Sequence, residues 1–170
     1  MIKTLISVIA VVLIIILQVS FLSAWPMPVR ALNLFLAVII LLTNITNLKT
    51  ALAWGFGGGL LLEIYTVGFF GLVTISIITT IFFINFLSQY FFTNRSFYSM
   101  IGLGLVGTAF YNLLFFVILW SIDFFSLNAN TILFDLNYLS FVVWQILLNS
   151  LVIAIIFRIY QLVNNRWVLK

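Results

Sequence analysis

Glu63 is the residue of this 170-residue chain whose type and position most strongly suggest a chemical role, because it is an acid inside a long apolar run. A charge at the centre of a bilayer costs about 2.5–3.5 kcal/mol on an insertion scale, so such a residue usually faces protein or water and often marks a function. Glu63 lies near the end of its apolar run. Several roles therefore stay open: a water-exposed structural carboxylate, a contact to a partner or between conformations, and the handling of protons or cations.

Small residues precede Glu63 at intervals of four, at Ala51, Gly55 and Gly59. This spacing places them on one stripe of a helix, with Glu63 one turn further along. Helices in lipid attract each other largely through close backbone contact, and stripes of small residues mark their contact faces. The stripe predicts a packing face, either within the bundle or for a partner helix. The turn that follows, up to Gly71, is predicted to be tight and hinged by glycine.

Uncharged polar residues occur in pairs four residues apart, and each pair shares one helical face. The pairs are Asn85 and Gln89, Thr108 and Asn112, and Gln145 and Asn149. Hydrogen bonds between transmembrane helices average about 0.6 kcal/mol in double-mutant cycles, so these side chains are expected to hold helices together. A polar cavity for a small ligand is the alternative. The predicted packing or partner-contact residues are thus Ala51, Gly55, Gly59, Glu63, Gly71 and Asn112.

Most catalytic arrangements are excluded because the chain contains no His and no Cys. Ser–His and Cys–His pairs are impossible, and so are disulfides and the common transition-metal sites. An intramembrane aspartyl pair needs two buried carboxylates, and only Glu63 is a candidate for one. The sequence also has no GxxxxGK[ST] loop for a nucleotide. We expect no enzymatic activity, no cofactor and no bound metal.

The elements that position these residues are almost entirely apolar. Only 6% of the residues are charged and 65% are hydrophobic, whereas a soluble domain is about 25% charged. A spanning helix needs roughly 20 apolar residues. The sequence therefore predicts an all-α polytopic membrane helix bundle of about six transmembrane helices in a single membrane domain. The predicted spans are residues 4–24, 31–46, 50–65, 72–92, 98–121 and 138–160.

The Lys and Arg residues predict the orientation, because cytoplasmic connections are enriched in basic residues. With the N-terminus in the cytoplasm, six of the seven fall on the cytoplasmic side: Lys3, Lys49, Arg95, Arg158, Arg166 and Lys170. Only Arg30 falls outside. Both termini are therefore predicted to be cytoplasmic. Since the basic residues are scattered singly, we expect the chain to contact a lipid bilayer and no nucleic acid.

The segment Gly59-Leu-Leu-Leu-Glu63, followed by Phe70-Gly71, resembles the MreD family of bacterial rod shape-determining membrane proteins. Members are of about this length and carry Gly-x-x-x-Asp before a turn that ends in a Leu-Gly-like pair. The motif match covers about residues 55–76, and the layout of spans is similar along the whole chain. Glu63 stands where Asp is more usual, and a proline often found in this region of the family is absent.

This resemblance implies a non-enzymatic component of the lateral cell-wall elongation machinery in the bacterial cytoplasmic membrane. It implies a single-span MreC-like partner, with the actin-like MreB filament and a penicillin-binding transpeptidase nearby. Glu63, Gly59 and Gly71 would be the motif positions. The alternative is the substrate-binding membrane subunit of an energy-coupling-factor vitamin transporter. Such subunits usually carry an Ala-x-x-x-Ala motif on the first helix, and the run from Ile6 to Leu17 has none.

Overall fold

The computed structural model describes residues 2–65, 69–92, 96–126 and 136–168. Within these ranges the regular structure is entirely helical and contains no strand, which confirms the predicted all-α class. We number the α-helices in chain order: α1 Ile2–Ile16, α2 Leu34–Ile45, α3 Leu48–Tyr65, α4 Leu72–Tyr90, α5 Phe97–Ser126 and α6 Leu136–Val168.

Four segments of the described chain are helical, long enough and apolar enough to cross a membrane: Ile6–Ala24, Leu72–Tyr90, Phe97–Ile122 and Asn137–Val163. Large apolar side chains also cover the outside of the bundle, among them Phe82, Leu113 and Ile155, each at least half exposed. A soluble monomer rarely exposes apolar surface on this scale. The described chain has the character of a multi-pass membrane protein.

The other two predicted spans correspond to α2 and α3, which fall short of those criteria for different reasons. The 12 residues of α2 extend about 18 Å at 1.5 Å per residue, well below the roughly 30 Å of a bilayer core. The helix α3 has 18 residues but is less apolar, since it contains Lys49, Glu63 and four glycines. The count of six spans therefore stays a prediction.

The short helix α2 occupies the centre of the bundle, where it packs against each of the other five helices. Its side chains Phe35, Leu36 and Ile39 are completely buried. Because α2 is shorter than the helices around it, its N-terminus lies inside the bundle, at the level of Asn149 in α6. The amide groups of that terminus must find partners there, since lipid offers none.

The chain between α1 and α2 is irregular. Beyond α1 it forms a π-helical turn at Leu17–Phe21 and short 3₁₀ turns at Leu22–Ala24 and Val29–Ala31. The prolines of the Trp25–Pro28 segment account for the break, because proline cannot donate the backbone hydrogen bond that a helix interior requires. This irregular connection places Gln18 beside the start of α2.

Several positions that support the predicted orientation lie outside the described residues. These are Arg95 and Lys170. The side chains of Lys3 and Arg166 are also outside the described set, and so is Gly68 in the predicted glycine-hinged turn. The cytoplasmic placement of both termini accordingly stays a prediction from the charge pattern.

Candidate functional site

The predicted stripe on α3 faces α4, and the two helices make one of the most extensive contacts in the bundle. Ala51 is completely buried. A methyl group on Gly59 would lie 3.0 Å from the Cα atom of Thr74, and one on Gly55 would collide with the side chain of Ile81. The absent side chains at these positions let the two backbones approach. This part of the stripe is therefore used for packing within the chain.

Glu63 ends the stripe and caps the N-terminus of α4. Its Oε1 atom accepts a hydrogen bond from the backbone N–H of Thr74 at 3.0 Å. Thr74 is the third residue of α4, which is the usual position of an amide bonded by a capping side chain. The carboxylate also opposes the positive end of the helix dipole. Glu63 is only 7% exposed, so the structure places it inside the protein and not at a water-exposed interface.

Gly71 explains why α4 takes its cap from another helix. It occupies the N-cap position with a φ of +98°, in the left-handed region, and has no side chain with which to cap. A non-glycine residue is strained in this conformation. Gly71 thus turns the chain into α4, and the preceding helix supplies the carboxylate.

A second set of polar side chains, which we call the capping network, surrounds the buried N-terminus of α2. Asn33 Oδ1 accepts a hydrogen bond from Leu36 N at 3.0 Å, and Gln18 Oε1 accepts one from Phe35 N at 2.8 Å. Asn149 Oδ1 accepts one from Asn33 N at 2.9 Å. The network therefore satisfies amides that the surrounding apolar helices could not.

The capping network continues into α5 through Thr108. Asn149 Nδ2 lies 3.4 Å from Thr108 Oγ1, and Asn112 Nδ2 donates a hydrogen bond to the Thr108 carbonyl at 2.9 Å. The predicted pairs on α5 and α6 thus meet each other inside the bundle. Thr108 and Asn149 link α5 to α6, whereas the hydrogen bond of Asn112, a predicted packing residue, lies within α5.

A cavity of about 210 Å³, which we call the polar cavity, lies beside this network. The polar side chains that line it come from α1, α2, α5 and α6 and their flanking turns: Gln18, Asn33, Tyr111, Asn112, Tyr138 and Gln145. The Oε1 atom of Gln145 is buried and has no hydrogen-bond partner.

The remaining predicted pair, Asn85 and Gln89, lies at the opposite end of the bundle. Both residues line a cavity of about 420 Å³ between the end of α2, the start of α3 and the end of α4. The Gln89 amide nitrogen is 3.5 Å from Asn85 Oδ1. This pair is exposed or half-buried and does not join the capping network.

A shallow groove of about 200 Å³, the α1–α3 groove, opens on the outside of the bundle. Its floor contains Ala53 and Gly57, which are both exposed and one helical turn apart on α3. A methyl group on Gly57 would meet no atom within 4 Å. The indole nitrogen of Trp54 donates a hydrogen bond to Ser7 Oγ and ties α3 to α1 beneath the groove.

Sequence reasoning missed several residues of these sites. Asn33 stands directly before an apolar run, which is the pattern of an N-cap, and could have been found that way. Gln18, Tyr111 and Tyr138 carry no such signal, since their roles depend on which helices are neighbours. Gly58 was also missed, although the ring of Phe35 fills the space beside it.

No protein-family model matches the sequence, and neither a curated protein nor a solved structure is significantly similar to it. The resemblance to the MreD family therefore depends on the residues between Gly55 and Ser76 and on the layout of apolar segments.

Proposed function

We propose that this chain is a non-enzymatic membrane scaffold of the bacterial cell-wall elongation machinery. In this proposal it lies in the cytoplasmic membrane with six spans and both termini inside. It binds a single-span partner of the MreC type and so helps to maintain a rod shape. An MreB filament and a penicillin-binding transpeptidase would be neighbours in the same assembly.

The observation that supports a partner helix is the exposed floor of the α1–α3 groove. Gly55 and Gly59 are already covered by α4, so they are not available to another chain. Ala53 and Gly57 are on a different face of α3 and are exposed. Small residues on a membrane-facing surface allow close backbone approach, which is a main source of attraction between helices in lipid. A partner helix would fit along this groove.

The test is a Gly57→Leu variant, which places a side chain in the groove at a position where an added Cβ atom would meet no atom within 4 Å. Overpacking a tight contact costs about 1–3 kcal/mol, equivalent to roughly 5- to 150-fold weaker binding. We expect the variant to fold normally and to lose a co-purifying single-span protein, with rounded cells when it replaces the native chain. The protein composition is read by mass spectrometry of solubilised membranes.

Ser140→Leu is the matched control, because Ser140 is also exposed but lies on α6, outside the groove. It should keep both the partner and the rod shape. If the Gly57→Leu variant co-purifies with as much partner as the Ser140→Leu variant does, the groove is not the binding surface. Normal rods after depletion of the whole chain would reject the scaffold function itself.

The polar cavity favours a second candidate function, the substrate-binding membrane subunit of a vitamin transporter. We rank it second because its volume of about 210 Å³ is below the roughly 300–1,000 Å³ of common small-molecule sites. A ligand at a hundredfold excess over Kd stabilises a protein by about 2.7 kcal/mol. A vitamin that raises the melting temperature of the purified chain, together with normal cell shape after depletion, would favour the transporter.

A further inference from the structure

The polar cavity has an apolar neighbour on the membrane side. A groove of about 410 Å³, which we call the α5–α6 groove, runs between these two helices and is lined almost wholly by apolar atoms. Leu113, Val117 and Leu139 line it and are exposed toward the outside of the bundle. Asn112 and Tyr138 line both the groove and the polar cavity. The groove and the cavity therefore adjoin each other at these two side chains.

Gln145 indicates that the polar cavity is built for a hydrogen-bonding group. Its side chain is 5% exposed, and its Oε1 atom is a buried acceptor with no partner. A buried polar atom without a hydrogen bond is costly and needs an explanation such as a bound ligand or water. A ligand hydroxyl would supply the missing donor. The unpaired acceptor and the apolar groove together point to a molecule with a polar head and an apolar chain.

The charges around the cavity exclude an anionic head. Among the described residues, no Lys or Arg lines the cavity or the groove. The backbone amides of Phe35 and Leu36, at the nearby N-terminus of α2, already donate to Gln18 and Asn33. A phosphate would therefore meet no cation there, and the amides of Phe35 and Leu36 would already be occupied.

We propose that the chain binds an uncharged, hydroxyl-bearing lipid between α5 and α6. The lipid hydroxyl donates to Gln145 Oε1 in the polar cavity, and an acyl chain lies in the α5–α6 groove. The size of the cavity agrees with this assignment, because a cavity of about 150 Å³ is sufficient to hold a benzene molecule. This inference is independent of the scaffold function, since the groove is on different helices from the α1–α3 groove.

The experiment uses the full chain in detergent and 1,2-dioleoylglycerol as the probe, with binding measured by native mass spectrometry and by the melting temperature. We expect dioleoylglycerol to bind and to raise the melting temperature. Dioleoyl-phosphatidylglycerol, which has the same acyl chains and an anionic head, should bind at least tenfold more weakly. Equal binding of both lipids would overturn the proposal, and so would an absence of dioleoylglycerol binding.

Two variants test separately the cavity for the polar head of the lipid and the groove for its acyl chain. Gln145→Leu removes the acceptor and should weaken dioleoylglycerol binding by about fivefold, the usual effect of one hydrogen bond. The fold should survive, because the change removes a buried acceptor that has no hydrogen-bond partner. Val142→Trp fills the groove and should abolish binding. Gln89→Leu, at the opposite end of the bundle, is the control and should bind like the native chain. Unchanged binding by both Gln145→Leu and Val142→Trp would reject this site.

Discussion

At the scale of single residues, Glu63 links the end of one helix to the start of the next. Its carboxylate accepts the hydrogen bond from Thr74 that a capping residue would normally accept, because Gly71 at the N-cap has no side chain. This hydrogen bond fixes the end of α3 relative to the start of α4. Glu63 needs no proton or ion transfer to explain its position inside the bundle.

We predict that Glu63→Leu lowers the stability of the chain by about 1–3 kcal/mol, since it removes both a capping hydrogen bond and a favourable charge at a helix N-terminus. Glu63→Gln keeps an acceptor and should lose about half as much. Ile64→Leu changes an exposed neighbour and is the control. Thermal unfolding in detergent gives the comparison. A Glu63→Leu variant as stable as Ile64→Leu would show that the cap contributes nothing.

The role of Glu63 could be predicted only in part from the sequence. Its place in an apolar run correctly marked it as unusual, and its fourfold spacing from Gly59 put it on the stripe. The capping contact could not be predicted, because it depends on how closely the end of α3 approaches the start of α4 and on the positive φ of Gly71. Contacts between polar residues of different helices, such as Asn33 and Asn149, could not be predicted either, because they depend on which helices are neighbours.

At the scale of helices, Gly57 and Gly59 offer a matched pair on α3. Replacing glycine by alanine in a helix is favourable by about 1 kcal/mol when space permits. Gly57→Ala has that space and should be neutral or stabilising. Gly59→Ala would press against the backbone of Thr74 and should cost a net 1–2 kcal/mol or so, because the two helices must move apart. Similar melting temperatures for both variants would mean that α3 and α4 are not in close contact.

The positions of the helices could be predicted from the sequence, whereas the contacts between helices could not. Each predicted span overlaps one α-helix, because long apolar runs are bounded by polar or proline-containing segments, but α1, α3, α5 and α6 extend beyond the predicted bounds. The central place of α2 was not readable, since lipid-facing and buried side chains in a membrane are equally apolar. Leu36 in α2 is completely buried and Leu113 in α5 is exposed, yet both are leucines in largely apolar helices.

At the scale of the whole molecule, the six-span arrangement requires that α2 and α3 both cross the membrane. The six-span arrangement places Lys49, at the connection between them, on the cytoplasmic side with most other basic residues. In an arrangement with four spans, α2 and α3 would form a hairpin that enters the membrane from the non-cytoplasmic side and returns to that same side. Both arrangements leave the C-terminus in the cytoplasm, so Lys49 is the position that distinguishes them.

We predict that Lys49 can be labelled only from the cytoplasm. The native chain has no Cys, so Lys49→Cys gives a single thiol, and Lys49 is exposed. A membrane-impermeant maleimide should leave this thiol unlabelled in intact cells and label it in inverted vesicles. Met27→Cys, on the exposed connection before α2, is the control and should show the reverse. Labelling of Lys49→Cys from outside intact cells would reject six spans, because α2 and α3 would then return without crossing.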